Sequence, residues 1–460
     1  MKYSKDISSI REYDVVVCGG GFSGFGAACA AAREGANVLL IERDSCLGGT
    51  GTKAMVNHML GARRFDDNHL YTCIGGLFSE VEKRLLSIKG AIDVHTVNPD
   101  FNPHGWAPIL GAGLIFDPEK MKLILELTAK EYGVNILYMT DVIDVITKGN
   151  AISGVIAHNK SGFVYIKGKC FVDATGDADL CKMSGCSLIK GDENGGLAAA
   201  SLEMHVENVD TEKLTDYMRE TGDIRFINLI KPLKESGEWK FPYEIFISVK
   251  MTQPDVFMIN TIRQVGVDGT DAESLTRAVM DGRKENFELL EIMRKHFPGF
   301  SNATIRQIAP SIGIRETNRL EGEYVLTTED LISAKSFDDS IAMSSYHWDM
   351  PDPKRPSNQP FVGVKRASPY TQIPYRCLLP KEIDNLIVVG RCISAQREVL
   401  GPVRVMGPCL AMGEAAGIAS GHALKDNIPY KKVDVDKLRK SIVGYGGYVD
   451  RESVFCETIR

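Results

Sequence analysis

Gly19, Gly21 and Gly24 stand in a GxGxxG spacing, and the acid Glu42 lies about 20 residues further on. Chemistry of that kind belongs to a dinucleotide site. Gly19 permits a tight turn, Gly21 lets a pyrophosphate approach the backbone, and Gly24 lets a helix pack close to a strand. Glu42 would accept the hydroxyls of an adenosine ribose, and a site built for a 2′-phosphate would not put a carboxylate there. The spacing alone is a weak signal, and its setting makes it strong. Residues 13–17 read as a short apolar strand, residues 25–33 as an Ala-rich helix, and residues 37–41 as a second buried strand closed by Glu42. The helix N-terminus between the strands offers unpaired N–H groups and a partial positive charge to phosphates.

The loop after the second strand separates FAD from NAD. Arg43-Asp44-Ser45-Cys46-Leu47-Gly48-Gly49-Thr50-Gly51-Thr52 carries a GGT sequence, and in two-dinucleotide-binding flavoproteins such a loop runs under the flavin diphosphate and ribityl chain. Two later segments agree. Residues 168–172 lead as a strand into Asp173-Ala174-Thr175-Gly176-Asp177-Ala178-Asp179, which resembles the ATG motif packed near the adenosine side in that superfamily. Residues 385–391 are another buried strand, and Met406-Gly407-Pro408 opens a helix of small residues, its proline pre-organising the first turn. That N-terminus would point at the flavin pyrimidine edge, where N1 and O2 gain negative charge on reduction.

With Arg315-Glu316-Thr317-Asn318-Arg319-Leu320-Glu321-Gly322 and Ile373-Pro374-Tyr375-Arg376 through Gly417, these segments resemble the FAD_oxidored family of FAD-dependent oxidoreductases. That family is related in architecture to the flavoproteins of fumarate reductase and succinate dehydrogenase. The resemblance implies an α/β fold: a Rossmann-like, glutathione-reductase-like FAD-binding domain with an inserted α+β substrate domain containing an antiparallel sheet. It implies FAD contacts at Gly19, Gly21, Ser23, Gly24, Glu42, Arg43, Gly49, Thr50, Val142, Ala174, Thr175, Gly176, Gly390 and Met406. Val142 enters only through its place in the strand before the ATG motif.

It also implies that a small organic substrate stacks on the isoalloxazine, exchanges a hydride with N5, and trades the companion proton with a nearby acid or base. His58, just past the GGT loop, is one candidate group. Arg315 with Glu316 is a second, for anion binding or flavin contact. Arg404, two residues before Met406, is a third, placed to neutralise reduced flavin or grip a substrate carboxylate. Each has a plainer reading: a structural histidine, an ion pair within a sheet, a helix-terminus hydrogen bond. His347 and Asp349 read more simply as solvated loop residues, and Cys46 is a candidate for covalent flavin attachment.

Missing motifs narrow the subclass. A pyridine-nucleotide disulfide reductase needs cysteines three and eight residues after Gly48, where Gly51 and Val56 stand. Cys181 and Cys186 come after the ATG motif on a helix away from the flavin face and read as ordinary thiols. The chain has no CxxC, which argues against an iron–sulfur cluster or structural zinc. No second GxGxxG supplies a nicotinamide domain, the halogenase WxWxIP signature is missing, and Gly390-Arg391 stands where aromatic hydroxylases commonly carry Gly-Asp. The expectation is a dehydrogenase or reductase working with a separate electron carrier or a diffusing nicotinamide. The alternative is the flavoprotein subunit of a larger electron-transfer assembly with a protein partner, and behind both a flavin hydroxylase.

Elements must hold these groups together. The 460 residues carry 54 Lys and Arg against 60 Asp and Glu, a net charge of −6 without long basic runs, which argues against nucleic acid or an anionic membrane as partner. No apolar run is long enough for a transmembrane helix, the polar N-terminus leaves no room for a signal peptide, and 11 thinly spread cysteines suit a reducing cytoplasm. Length suggests two or three domains, and the motifs reduce this to two: residues 1–200 with 370–460 for FAD, and 201–369 for substrate. In the latter, 198–209, 243–252 and 256–265 read as antiparallel strands, 271–296 as an amphipathic helix, 303–317 as a returning strand, 329–334 as a short helix and 344–360 as a loop over the site. Residues 71–118 look loop-rich and add to the substrate side.

Overall fold

Val15, Val16 and Val17 are all fully buried, a continuous apolar run of the kind that belongs to a strand covered on both faces. The computed structural model, which describes residues 4, 7, 9–106 and 108–459, places them in strand Ser9–Cys18 inside a seven-stranded sheet. The sheet runs in the order Asn135–Leu137, Val38–Ile41, Ser9–Cys18, Gly162–Asp173, Ala151–Asn159, Asp141–Lys148. The first four strands are parallel, and the last two continue from Gly162–Asp173 as an antiparallel meander. Strand Gly162–Asp173 divides one edge between two partners. Residues 162–167 pair with Ala151–Asn159, while 171–173 pair in parallel with Leu386–Val388.

Helix Phe22–Arg33 comes directly after the first strand and consists mostly of Gly, Ala, Ser and Cys. The small side chains let it lie against helix Met406–Asp426 at backbone contact. A methyl group on Gly413 would strike the Ser23 backbone, one on Gly417 the Ala27 carbonyl, and one on Gly26 the Leu410 carbonyl. These glycines serve helix packing, whereas those at 19, 21, 48 and 49 face the cavity described below.

The inserted region builds a second core around a four-stranded antiparallel sheet, ordered Ser248–Lys250, Phe257–Ile259, Met204–Glu207, Thr304–Ile308. Helix Ala272–His296 covers it, its first turn capped by the Asp271 carboxylate, which accepts the Ser274 N–H. Phe226, Phe246, Phe257, Phe297, Phe300 and Trp239 fill this core, with edge-to-face pairs such as Phe226–Phe297 at 4.8 Å.

Three stretches differ from their sequence reading. The strand expected over 303–317 stops at Ile308, since Pro310 cannot donate to a ladder; beyond it Gly313 makes a single antiparallel bridge to Ser201, and Asn318–Leu320 pairs with Leu188–Lys190. Buried side chains between 326 and 350, read as part of the insert, join the core shared by helices Phe22–Arg33 and Met406–Asp426, where strand Ser340–Ser344 pairs with Thr371–Pro374. The loop over 344–360 is anchored rather than solvated: Tyr346, Trp348 and Met350 are buried, and the Trp348 indole N–H donates to the Val364 carbonyl at 2.9 Å. Within 71–118, helix Leu77–Ser87 packs in the main core and Trp106 stacks on Phe257 in the aromatic one. Among the described residues no helix is long and apolar enough to cross a membrane.

Candidate active site

The turns at the ends of the parallel strands open onto one cavity of about 590 Å³. Gly19, Gly21, Ser23, Glu42, Arg43, Gly49, Thr50, Val142, Ala174, Thr175, Gly176, Gly390 and Met406 all lie on its wall. Gly24 does not. It lies beneath, where a methyl group would strike the Gly19 carbonyl, so its part is to bring helix and strand together.

The local geometry suits an FAD. Gly19 takes φ +102°, a left-handed turn that an L side chain rarely adopts, and donates its N–H to the Ile41 carbonyl at 2.8 Å. In front of Gly21 a methyl group would meet nothing within 4 Å, so the turn faces open space. The GGT loop lies directly on this turn, with the Gly48 N–H donating to the Gly20 carbonyl at 2.8 Å. Helix Phe22–Arg33 begins without a side-chain cap and without an acid in its first turn, and helix Met406–Asp426 begins the same way. Both ends therefore keep N–H donors and positive dipole for an anion or an electron-rich ring edge. The Glu42 carboxylate is held at the end of its strand by the Gly20 N–H at 2.5 Å and the Asp44 N–H at 2.8 Å, leaving further lone pairs for ribose hydroxyls. On the far side Arg391 pairs with Asp177 at 2.8 Å, and the Thr317 hydroxyl donates to the same carboxylate at 2.7 Å.

The inserted region supplies the opposite wall through Ser201, Glu203, Asn260 and Arg315, joined by Tyr346, Asp349 and Arg404. His58 is on the wall and buried, its Nε2–H donating to the Leu110 carbonyl at 2.8 Å. Burial pulls its pKa down to about 4, so the imidazole is neutral at ordinary pH. Arg315 donates to the Ala199 carbonyl at 2.7 Å. Burial, then the like charges of Arg263 and Arg404, lower its pKa. Glu316 is not its ion-pair partner. That carboxylate is buried between Arg319 at 2.8 Å and Arg397 at 3.0 Å and also accepts the Ala198 N–H at 2.9 Å. Arg404 donates to the Asp349 carbonyl at 3.1 Å and meets its carboxylate at 3.4 Å. Burial pushes the Asp349 carboxyl up, but Arg404, Arg315, His347 and Arg263 outweigh it and hold it below the usual carboxylate range. His347 and Cys46 are not among the lining residues, and Cys181 and Cys186 are free thiols in the core, also off the wall.

Glu203 escaped the sequence reading. It is fully buried, and neither carboxylate oxygen has a hydrogen-bond partner. Burial raises its pKa, with Arg263 and Arg315 only partly opposing. The available signal was an acid flanked by Leu202 and Met204 inside the largely apolar stretch 198–206. Asn260, Ser201 and Tyr346 carried no signal of their own.

A parallel sheet whose strand ends open on two uncapped helices, with an acid closing the second strand, has the form of a Rossmann-type, FAD-binding flavoprotein. The chain belongs to the FAD-dependent oxidoreductase family, whose model matches residues 14–442. Among solved structures it is similar to a geranylgeranyl bacteriochlorophyll reductase-like protein from Thermoplasma acidophilum, at 13% identity over 95% of this chain and 84% of that one, with a TM-score of 0.46. It is similar also to a myxobacterial chondrochloren halogenase, at 14% identity over 96% and 84% of the two chains and a TM-score of 0.46. A third is a flavin-dependent brominase variant, at 14% identity over 94% and 84% with a TM-score of 0.47. Comparison with curated proteins gave no match.

Proposed function

We propose that this FAD-dependent oxidoreductase is a dehydrogenase or reductase that passes a hydride between flavin and a small organic substrate seated against the inserted region. One observation carries the reading: the cavity with the dinucleotide features continues without a break to a polar wall of Ser201, Glu203, Asn260 and Arg315. Bound there, FAD supplies a two-electron carrier whose N5 gives or takes hydride. The residues that would hold it are those of the GxGxxG turn, Glu42 and Arg43, Gly49 and Thr50, Val142, Ala174 to Gly176, Gly390 and Met406. Helix Phe22–Arg33 would meet the diphosphate, and the start of Met406–Asp426 the pyrimidine edge. His58, neutral and fixed by Leu110, would shape the wall, while Arg315 and Arg404 would bring positive charge to the substrate end.

The purified protein is expected to be yellow, and Gly21→Val with Glu42→Arg to be colourless while still folded by circular dichroism. A wild-type protein that is colourless and ignores added FAD would overturn the proposal. Anaerobic reduction, then exposure to a set of acceptors, tests the reaction type. Rapid reoxidation by keto acids, enoates or another small organic molecule supports the dehydrogenase reading. Inertness until a protein acceptor is added would make the chain an electron-transfer subunit, and oxygen incorporated into a product would make it a hydroxylase.

A further inference from the structure

We propose that the end of the cavity walled by the inserted region is a subsite for an organic acid. Its carboxylate is gripped by the guanidinium groups of Arg315 and Arg404, and a neighbouring carbonyl or hydroxyl is hydrogen-bonded by Glu203. The inference rests on the reading of this wall as the substrate side.

Charge points there first. Arg263 and Arg404 lie near enough to Arg315 to help burial lower its pKa, and Arg263 and Arg315 near enough to Glu203 to oppose in part the rise that burial causes there. The ionised carboxylate opposite them is Asp349, which meets Arg404 at 3.4 Å. Arg263 is already committed: it bonds Ser201 Oγ at 2.5 Å and the Asn260 amide oxygen, and it stacks 4.5 Å from the Tyr243 ring centroid. Arg315 and Arg404 are less fully engaged, although Arg404 also donates to the Asp349 carbonyl at 3.1 Å and meets its carboxylate at 3.4 Å. Each reaches the cavity wall, Arg315 donates to a single carbonyl oxygen, and the Nε–H of Arg404 is buried without a partner. Two forked cations with spare donors match a planar carboxylate, which can accept two parallel N–H bonds at once.

Glu203 points there independently. A fully buried carboxyl group with both oxygens unpartnered is costly unless something pairs with it, and this one opens onto the same cavity as the arginines. A second carboxylate or a phosphate dianion at that point would be repelled by an ionised Glu203. A hydroxyl is accepted by either protonation state, and a carbonyl by the protonated one. Together the two features read as an acid with an adjacent oxygen function.

The test uses the FAD-loaded protein, with lactate, glycolate and pyruvate as probes and lactamide, glycolamide and pyruvamide as their uncharged counterparts, read by calorimetry and by flavin difference spectra. At least one acid is expected to bind in the millimolar range or tighter, more than tenfold better than its amide. Arg315→Met and Arg404→Met should each weaken that acid at least tenfold with FAD content per chain unchanged. Glu203→Gln should keep binding within about threefold, and Glu203→Leu should lose it. Equal binding of acid and amide, binding of none of the acids, or arginine variants that bind as well as wild type overturns the subsite. So does loss of FAD from the arginine variants, because the cations would then serve the flavin. Calorimetry separates the two readings: acid binding with this arginine dependence in a protein that takes no FAD would leave the subsite standing and remove the oxidoreductase mechanism, and a yellow protein that binds no acid would do the reverse.

Discussion

Glu203 and His58 stand on the same cavity wall, and burial drives both toward their neutral forms. For His58 the folded-state pKa is about 4 against an ordinary value of 6.5, so the unfolded chain takes up a proton that the folded chain refuses. Its contribution is intact above pH 6.5 and is lost as pH falls toward 4, a difference of roughly 3 kcal/mol at the acid end. His205, buried and pulled to about 4 as well, works in the same direction. Denaturant titrations at pH 7.5 and 5 should show a marked drop in stability, and His58→Asn should flatten that drop. Glu203 has the opposite sign: its raised pKa means the folded chain holds the proton more tightly, so stability falls as pH rises through and above the ordinary glutamate range. Glu203→Gln should therefore melt higher than wild type at pH 9 and about equally at pH 5. That Gly19, Gly21 and Glu42 share one cavity wall was legible at this scale because they lie within one strand–helix–strand unit and their spacing fixes the turn. Glu203 was not, since its meaning depends on Arg263 and Arg315, far along the chain, coming close to it.

Helices Phe22–Arg33 and Met406–Asp426 form the tightest contact between distant elements, and glycine decides it. Gly417→Val would drive side-chain atoms into the Ala27 carbonyl, where the obstacle is backbone and cannot swing aside. A cost of about 3 kcal/mol or more is expected, seen as a lowered melting temperature and reduced FAD retention, because both helix starts line the cavity. Gly444→Ala, at a helix end with nothing within 4 Å, is the control and should change stability by less than about 1 kcal/mol. From sequence, glycine clusters mark close backbone approach but do not say to what, so the cavity-facing and helix-facing sets look alike. Helix Ala272–His296 was legible end to end because its cap, its amphipathic period and its Phe297-Pro298 stop all agree. In the 344–360 loop, His347 and Asp349 read as solvated because the polar and proline-rich composition around them hides three anchors, Tyr346, Trp348 and Met350.

At the scale of the whole molecule, the nucleotide fold is assembled from both ends of the chain. A chain stopped at residue 369 lacks strand Leu386–Val388, Gly390, Met406 and the helix that covers Phe22–Arg33. It is expected to be insoluble or, if soluble, colourless, and retention of stoichiometric FAD by that fragment would refute the arrangement. Saturating FAD should in turn stabilise the intact chain, by about 2.7 kcal/mol at a hundredfold excess over the dissociation constant. The order of the motifs anticipates that both ends of the chain meet, as strand Leu386–Val388 does beside Gly162–Asp173, but hydrophobic side chains between 326 and 350 look the same in sequence whether they face the aromatic core or the helix pair. The divided edge of strand Gly162–Asp173 has a further consequence during synthesis. Phe171 pairs with Leu386, 386 − 171 = 215 residues later, and at about 5–20 residues per second a ribosome needs roughly 10–40 s to cover that distance. For that interval a nascent sheet carries an open, apolar edge beside an uncovered helix face, and ribosome-bound chains stalled before residue 386 are expected to crosslink to chaperones that shield hydrophobic strands, the full chain much less so.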